Sequence, residues 1–193
     1  MSGDQAYLEA KKIFDWYDGS HFHMVREGDY QKYKEFGVPK EVEMRWISEL
    51  KKDIVAKLYS EKNEAEIASL FSRYGHKVAQ TTDKDGLLFM LEFAKENQKK
   101  WDSFTNLGAA KSILNTVNSF DEKYKRMAII KSLELLKNIK KAAFRISDSY
   151  KEDGVFPDYA TENKITERVD SSIKYYENEL KSLSKRRYRL RCQ

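Results

Sequence analysis

The fold class the sequence predicts is all-α: an antiparallel bundle of about seven or eight helices. Two observations carry that expectation. Apolar residues recur at helical spacing along nearly the whole chain, with no convincing alternation of period two. Only 8 Gly and 2 Pro occur in 193 residues, few for a strand-rich fold with many tight turns. A chain of this length buries roughly 70% of its extended surface and needs no disulfide or metal to hold it together. No repeated signature of 34 to 45 residues occurs, which makes a helical-hairpin solenoid the weaker option.

Each element has its own signal. Ala6, Ala10, Ile13 and Tyr17 form the first stripe, with Ser2 and Gln5 as its capping box. Gly19-Ser20 interrupts it, and a short helical piece resumes around Asp29 to Phe36. Pro39 at the first helical position, followed by Glu41 and Glu43, opens a helix whose face reads Val42, Trp46, Leu50, Ile54 and Leu58. Asn63 with Glu66 caps the next, striped by Ile67, Leu70, Phe71, Tyr74 and Val78. After Thr81-Thr82-Asp83, a helix carries Leu87, Met90, Leu91, Ala94 and Trp101. Thr105 to Gly108 should loosen the chain before Ala110, Ile113, Leu114 and Val117.

Ser119 with Glu122 is read as the start of the longest helix, running to about Tyr150 on Ile129, Leu133, Leu136, Ile139, Ala143 and Ile146. Asp153 to Asp158 holds Gly154 and Pro157 and forms the clearest loop. Thr161 or Asn163 starts a final helix with Val169, Ile173, Tyr176, Leu180 and Leu183. Its heptad spacing over two repeats would suit homodimerisation as well as docking on its own body. No stretch has linker composition. The expectation is one all-α domain over 1–180 with a basic extension over 181–193.

The formal charge of +5 belongs to that extension. Lys181, Lys185, Arg186, Arg187, Arg189 and Arg191 stand in the last 13 residues without an acid. Outside it, 30 basic residues balance 31 acidic ones. Arginines with an interleaved Tyr188 suit phosphate contacts and base stacking. Lys185, Arg186, Arg187, Tyr188, Arg189 and Arg191 are therefore the candidate nucleic-acid contacts. The same cluster would also suit an acidic protein groove, an anionic membrane surface or a solvated helix end.

The second concentration lies near the N-terminus. Phe14, Trp16, Tyr17, Phe22, Tyr30, Tyr33 and Phe36 place seven aromatic residues within 23 positions. Large rigid rings and Arg dominate binding hot spots. Trp16, Phe22, Arg26 and Tyr30 are the candidate contacts with a protein partner. The competing reading is that the rings pack the first helices onto the core.

Chemistry of other kinds finds little footing. His21 and His23 lie near Asp15, Asp18 and Asp29, but positions two apart on a helix point about 200° apart. His76 follows Gly75 at an expected helix end, where a histidine serves as a cap. No metal or other cofactor is expected. The glycines cannot spell a phosphate-binding loop, and neither a nucleophile elbow nor an H-E-x-x-H pair occurs. The single Cys192 excludes a disulfide framework and a cysteine zinc site. With a mean hydropathy of −0.77, no apolar run of 18 residues and no secretory leader, a cytoplasmic setting is expected. The sequence thus points to a non-catalytic macromolecule-binding protein. A protein-interaction module comes first, nucleic-acid binding through the basic tail second, and a metal-dependent enzyme last.

Overall fold

The computed structural model describes the backbone of residues 3–152 and 161–191 and the side chains of 5–150 and 161–184. Among the described residues the regular structure is entirely helical. The chain divides into two compact units, 1–59 and 60–193, where composition had shown no linker.

Unit 1 contains α1 (Gly3–Trp16), α2 (His21–Glu27), α3 (Tyr30–Glu35) and α4 (Lys40–Ser60), whose last residue crosses the boundary. Its core is small and aromatic: Ala10, Phe14, Met24, Tyr33, Trp46 and Ile47, with the Phe14 ring 5.3 Å from Trp46 and 6.1 Å from Tyr33. Phe14 is fully buried, so the inner face of α1 turns on Ala10 and Phe14, while Ile13 and Tyr17 are half-buried beside it. The helix expected only from Asp29 onward is preceded by α2, a separate element immediately after Gly19-Ser20. Pro39 stands one residue ahead of α4, and its carbonyl accepts the Val42 and Glu43 amides. The proposed cap at Ser2 lies outside the described residues.

Unit 2 contains α5 (Glu64–Thr81), α6 (Lys84–Asn97), α7 (Ser103–Thr116), a 3-10 turn (Val117–Ser119), α8 (Glu122–Lys141), α9 (Ser149–Glu152) and α10 (Glu162–Arg191). The starts of α5 to α8 are capped. Asn63, Asp83, Asp102 and Asp121 accept the amides of Glu66, Gly86, Thr105 and Tyr124 respectively. The cap of α8 is therefore Asp121 and not Ser119. At α10 the Thr161 hydroxyl receives the Lys164 amide at 3.4 Å. Helix α7 packs on both α5 and α8, and α8 pairs with α10. Ion pairs Lys140–Asp170, Lys137–Glu177 and Lys125–Glu179 show that α8 and α10 run antiparallel. Ile165, Val169 and Leu183 are buried, so the apolar edge of α10 docks within its own unit.

Two expectations fail here for one reason. Thr105 to Gly108 lie inside α7 rather than loosening it, and the long helix stops at Lys141 instead of near Tyr150. Both follow from the buried Asp102. One of its carboxylate oxygens receives the Thr105 amide at 2.6 Å and the other receives the Ser147 amide at 2.6 Å. The Ser103 amide donates to the Arg145 carbonyl at 2.8 Å, and the Arg145 amide donates back to the Ser103 hydroxyl at 3.2 Å. This clamp stabilises a non-helical strap over residues 142–147, where continued helix would satisfy only local bonds. Trp101, expected on the α6 stripe, is instead buried in the turn before α7.

Candidate protein-binding surface

The phrase running from Trp16 to Tyr30 folds as two tight helical corners. At the first, the Gly19 amide donates to the Phe14 carbonyl at 2.7 Å, and both Asp18 (φ 52°) and Gly19 (φ 66°) are left-handed. A Cβ at Gly19 would stand 2.8 Å from the Phe14 ring, so backbone and packing both require glycine there. The Ser20 hydroxyl then accepts the His23 amide and starts α2. Gly28 (φ 88°) ends it, with the Asp29 amide donating to the Met24 carbonyl at 2.9 Å.

Polar side chains lock the corners. The Tyr17 hydroxyl donates to Asp29 at 2.5 Å, and the Tyr33 hydroxyl donates to Glu43 at 2.6 Å. The His21 ring nitrogen lies 3.0 Å from the same Glu43 oxygen, with the ring 5.3 Å from Tyr30 and 5.5 Å from Tyr33. The hydrogen bond to the Asp29 carboxylate, with a smaller effect of burial, pushes the Tyr17 phenol up to about 12. Burial, then Glu43, raises the Tyr33 phenol well above its ordinary value. Asp18, Gly19, Ser20, His21, Met24, Gly28 and Asp29 all have a part in building the corners.

The residues without such a part are the outward ones. Trp16 is 82% exposed, Phe22 71% and Val25 58%. Phe22 and Arg26 are one helical turn apart on α2, opposite the fully buried Met24, and Val25 flanks them. Arg26 is exposed and holds Glu27 at 2.7 Å. Tyr30 departs from its expected grouping. It is half-buried, its ring tilted against His21 and overlain by the Lys34 ammonium at 5.8 Å, so it supports the corner.

The two histidines diverge, His21 to Glu43 and His23 to an exposed position with its ring 5.7 Å from Phe22. Among the described residues no three His, Cys, Asp or Glu side chains come together as metal ligands would. Among them, too, no helix is long and apolar enough to cross a membrane. The backbone of α10 continues to Arg191, but the side chains of Lys185, Arg186, Arg187, Tyr188, Arg189 and Arg191 lie outside the described ones.

Sequence reasoning missed a polar cluster in unit 2. The Asp102 amide donates to the Glu64 carboxylate at 2.8 Å, Arg145 lies 3.5 Å from that carboxylate, and the Tyr150 hydroxyl donates to the Glu64 carbonyl at 3.1 Å. Burial is the main cause that raises the Glu64 carboxyl above its ordinary value, with the nearby Asp102 charge adding to it. The signal in the sequence is Asp102 followed by Ser103 and Thr105, a capping pattern masked by the apolar stripe that ends at Trp101 beside it. Comparison of the chain with protein-family models, with curated proteins and with solved structures returned no match.

Proposed function

We propose that this protein is a non-catalytic interaction module, an adaptor, inhibitor or regulator. Its anchor is the outward face formed by Trp16 at the end of α1 and by Phe22, Val25 and Arg26 on α2. One observation supports this reading above the others. In a segment most of whose other residues build its two corners, Trp16 and Phe22 point into solvent at 82% and 71% exposure. Exposing an indole and a phenyl group forgoes roughly 1.5–3 kcal/mol of burial apiece, which a partner surface would recover. A reducing cytoplasm, inferred from the single cysteine, is the setting we assign to it.

The test is quantitative affinity capture with the wild-type chain beside Trp16→Ala/Phe22→Ala. Proteins retained by the first and lost by the second, with unchanged thermal unfolding, are the expected result. Identical retention by both, or unfolding of the variant, would remove the anchor. The second proposal, nucleic-acid binding through the basic tail, is separated by anisotropy with single-stranded RNA and duplex DNA across a salt series. Truncation for that purpose belongs after Ser184, because Leu183 is buried and Ser184 accepts a hydrogen bond from Arg126 at 2.9 Å. Salt-sensitive binding lost on that truncation would favour the tail.

A further inference from the structure

Unit 2 contains a cleft of about 660 Å³ where the turn between α6 and α7 faces the end of α8 and the strap that follows it. Clefts of this size accommodate specific ligands. Its floor is apolar, formed by Trp101, Leu135 and Ile139, and Phe144 stands exposed at its side. Three cations line it, Lys99, Lys141 and Arg145, and among the described residues no carboxylate does.

The cations are not equivalent. Arg145 is engaged by Glu64 and by the Lys100 carbonyl. On α8, Lys137 and Lys140 are neutralised by Glu177 at 2.7 Å and Asp170 at 2.6 Å on α10. Lys141 and, across the cleft, Lys99 meet no carboxylate among the described residues. The same helix end therefore balances its charges on one side and leaves them open on the other.

The backbone adds a directional element. Ala142 has an extended conformation (ψ 155°), and the amides of Ala143 and Phe144 meet no acceptor among the described residues. An open backbone donor beside an apolar floor and unneutralised ammonium groups suits an acidic peptide segment, whose carbonyls can accept from the chain as its side chains meet the floor and the charges.

We propose that this cleft is a second binding site, a groove for an extended acidic segment of a partner protein. An apolar side chain, preferably aromatic, would rest on Trp101, Leu135 and Ile139. Flanking carboxylates would meet Lys99 and Lys141, and a peptide carbonyl would accept from the amide of Ala143 or of Phe144. The site is independent of the Trp16 and Phe22 face.

The probe is an acetylated, amidated pentapeptide, Asp-Glu-Phe-Asp-Glu, titrated to millimolar concentration into the isotope-labelled full chain and followed by amide and indole NMR shifts. Saturable shifts of the Trp101 indole and the Ala143 and Phe144 amides are expected. Lys99→Glu/Lys141→Glu should weaken binding by about tenfold or more. Replacing the central phenylalanine of the peptide by alanine, or its acids by their amides, should weaken it as well. Should the charge reversal disturb folding, Lys99→Met/Lys141→Met removes the charges without opposing them.

Absence of saturable shifts at these three reporters overturns the proposal. So does binding that both double variants leave intact, which would assign the peptide to the basic tail. Self-association of the peptide-free protein that the same variants abolish would put a second copy in the groove and overturn it equally.

Discussion

The two units solve the problem of burial differently. Seven of the eleven large apolar side chains that stand exposed among the described residues belong to unit 1, which holds only 59 of the 193 residues. A chain of that size buries only about 60% of its extended surface. Unit 1 accordingly concentrates its core in a few rings around Phe14 and fixes its corners with polar pairs, Tyr17–Asp29 near the surface and Tyr33–Glu43 at the edge of the core. Unit 2 has length enough for helix faces to cover one another, and it buries even polar groups such as Asp102, Asn106 and Thr116 with their bonds made. Trp16, at 82% exposure, stands out even in a unit that leaves several apolar side chains in solvent.

The largest expected effect is on the ring core. Phe14→Ala removes a fully buried side chain and should cost about 3–5 kcal/mol. Hydrogen exchange should then show protection lost over α1 to α4 and kept over α5 to α8. Loss through both at once would mean that the division at residue 59 is not an energetic one. Next comes Asp102→Ala. It strips a helix cap and leaves the Thr105 and Ser147 amides without acceptors, a loss of about 2–4 kcal/mol. Faster exchange at the Ser147 amide and a lowered midpoint in thermal unfolding are the readouts. A midpoint within a degree or so of wild type would show that the strap does not depend on this clamp.

Much of the fold was legible because its signals were local. The apolar stripes of α5, α6 and α8 and the cap at Asn63 need only a few turns of context to be recognised. What failed was set by distant partners. Periodicity carries α8 on through Ala143 and Ile146, and only Asp102, some 40 residues earlier, explains why the chain leaves the helix at Ala142. The aromatic segment was legible as unusual but not as divided. Trp16, Phe22 and Arg26 face solvent, whereas Tyr30 is turned against His21 by a corner that two left-handed residues create. The Lys99 and Lys141 pairing across a cleft had no sequence signal, since the two lysines come together only through the packing of α6, α7 and α8.

Surface substitutions should test the comparison gently. Trp16→Ala and Phe22→Ala, each removing a solvent-facing ring, should change unfolding free energy by no more than about 0.5 kcal/mol in chemical denaturation. A loss of 2 kcal/mol or more, roughly a buried side chain's worth, would make them core residues and withdraw the proposed anchor.

The smallest effect distinguishes the units most directly. Tyr17 and Tyr74 both have phenols pushed from 10.0 up to about 12, but the causes differ. For Tyr17 the hydrogen bond to Asp29 leads; for Tyr74 burial leads, followed by the charge of Asp83. A raised phenol means that the folded chain holds its proton longer than the unfolded chain. The associated stability is fully present below pH 10 and is lost as pH climbs toward about 12. Asp29→Asn should return the Tyr17 ring-carbon titration toward its ordinary value, because a neutral amide opposes phenolate formation less than a carboxylate does. Tyr74 should not move. A Tyr17 titration still near 12 in that variant would mean that Asp29 is not what holds the proton, and the contrast between a phenol held by a surface pair, Tyr17, and one held by packing, Tyr74, would fail at its most exposed point.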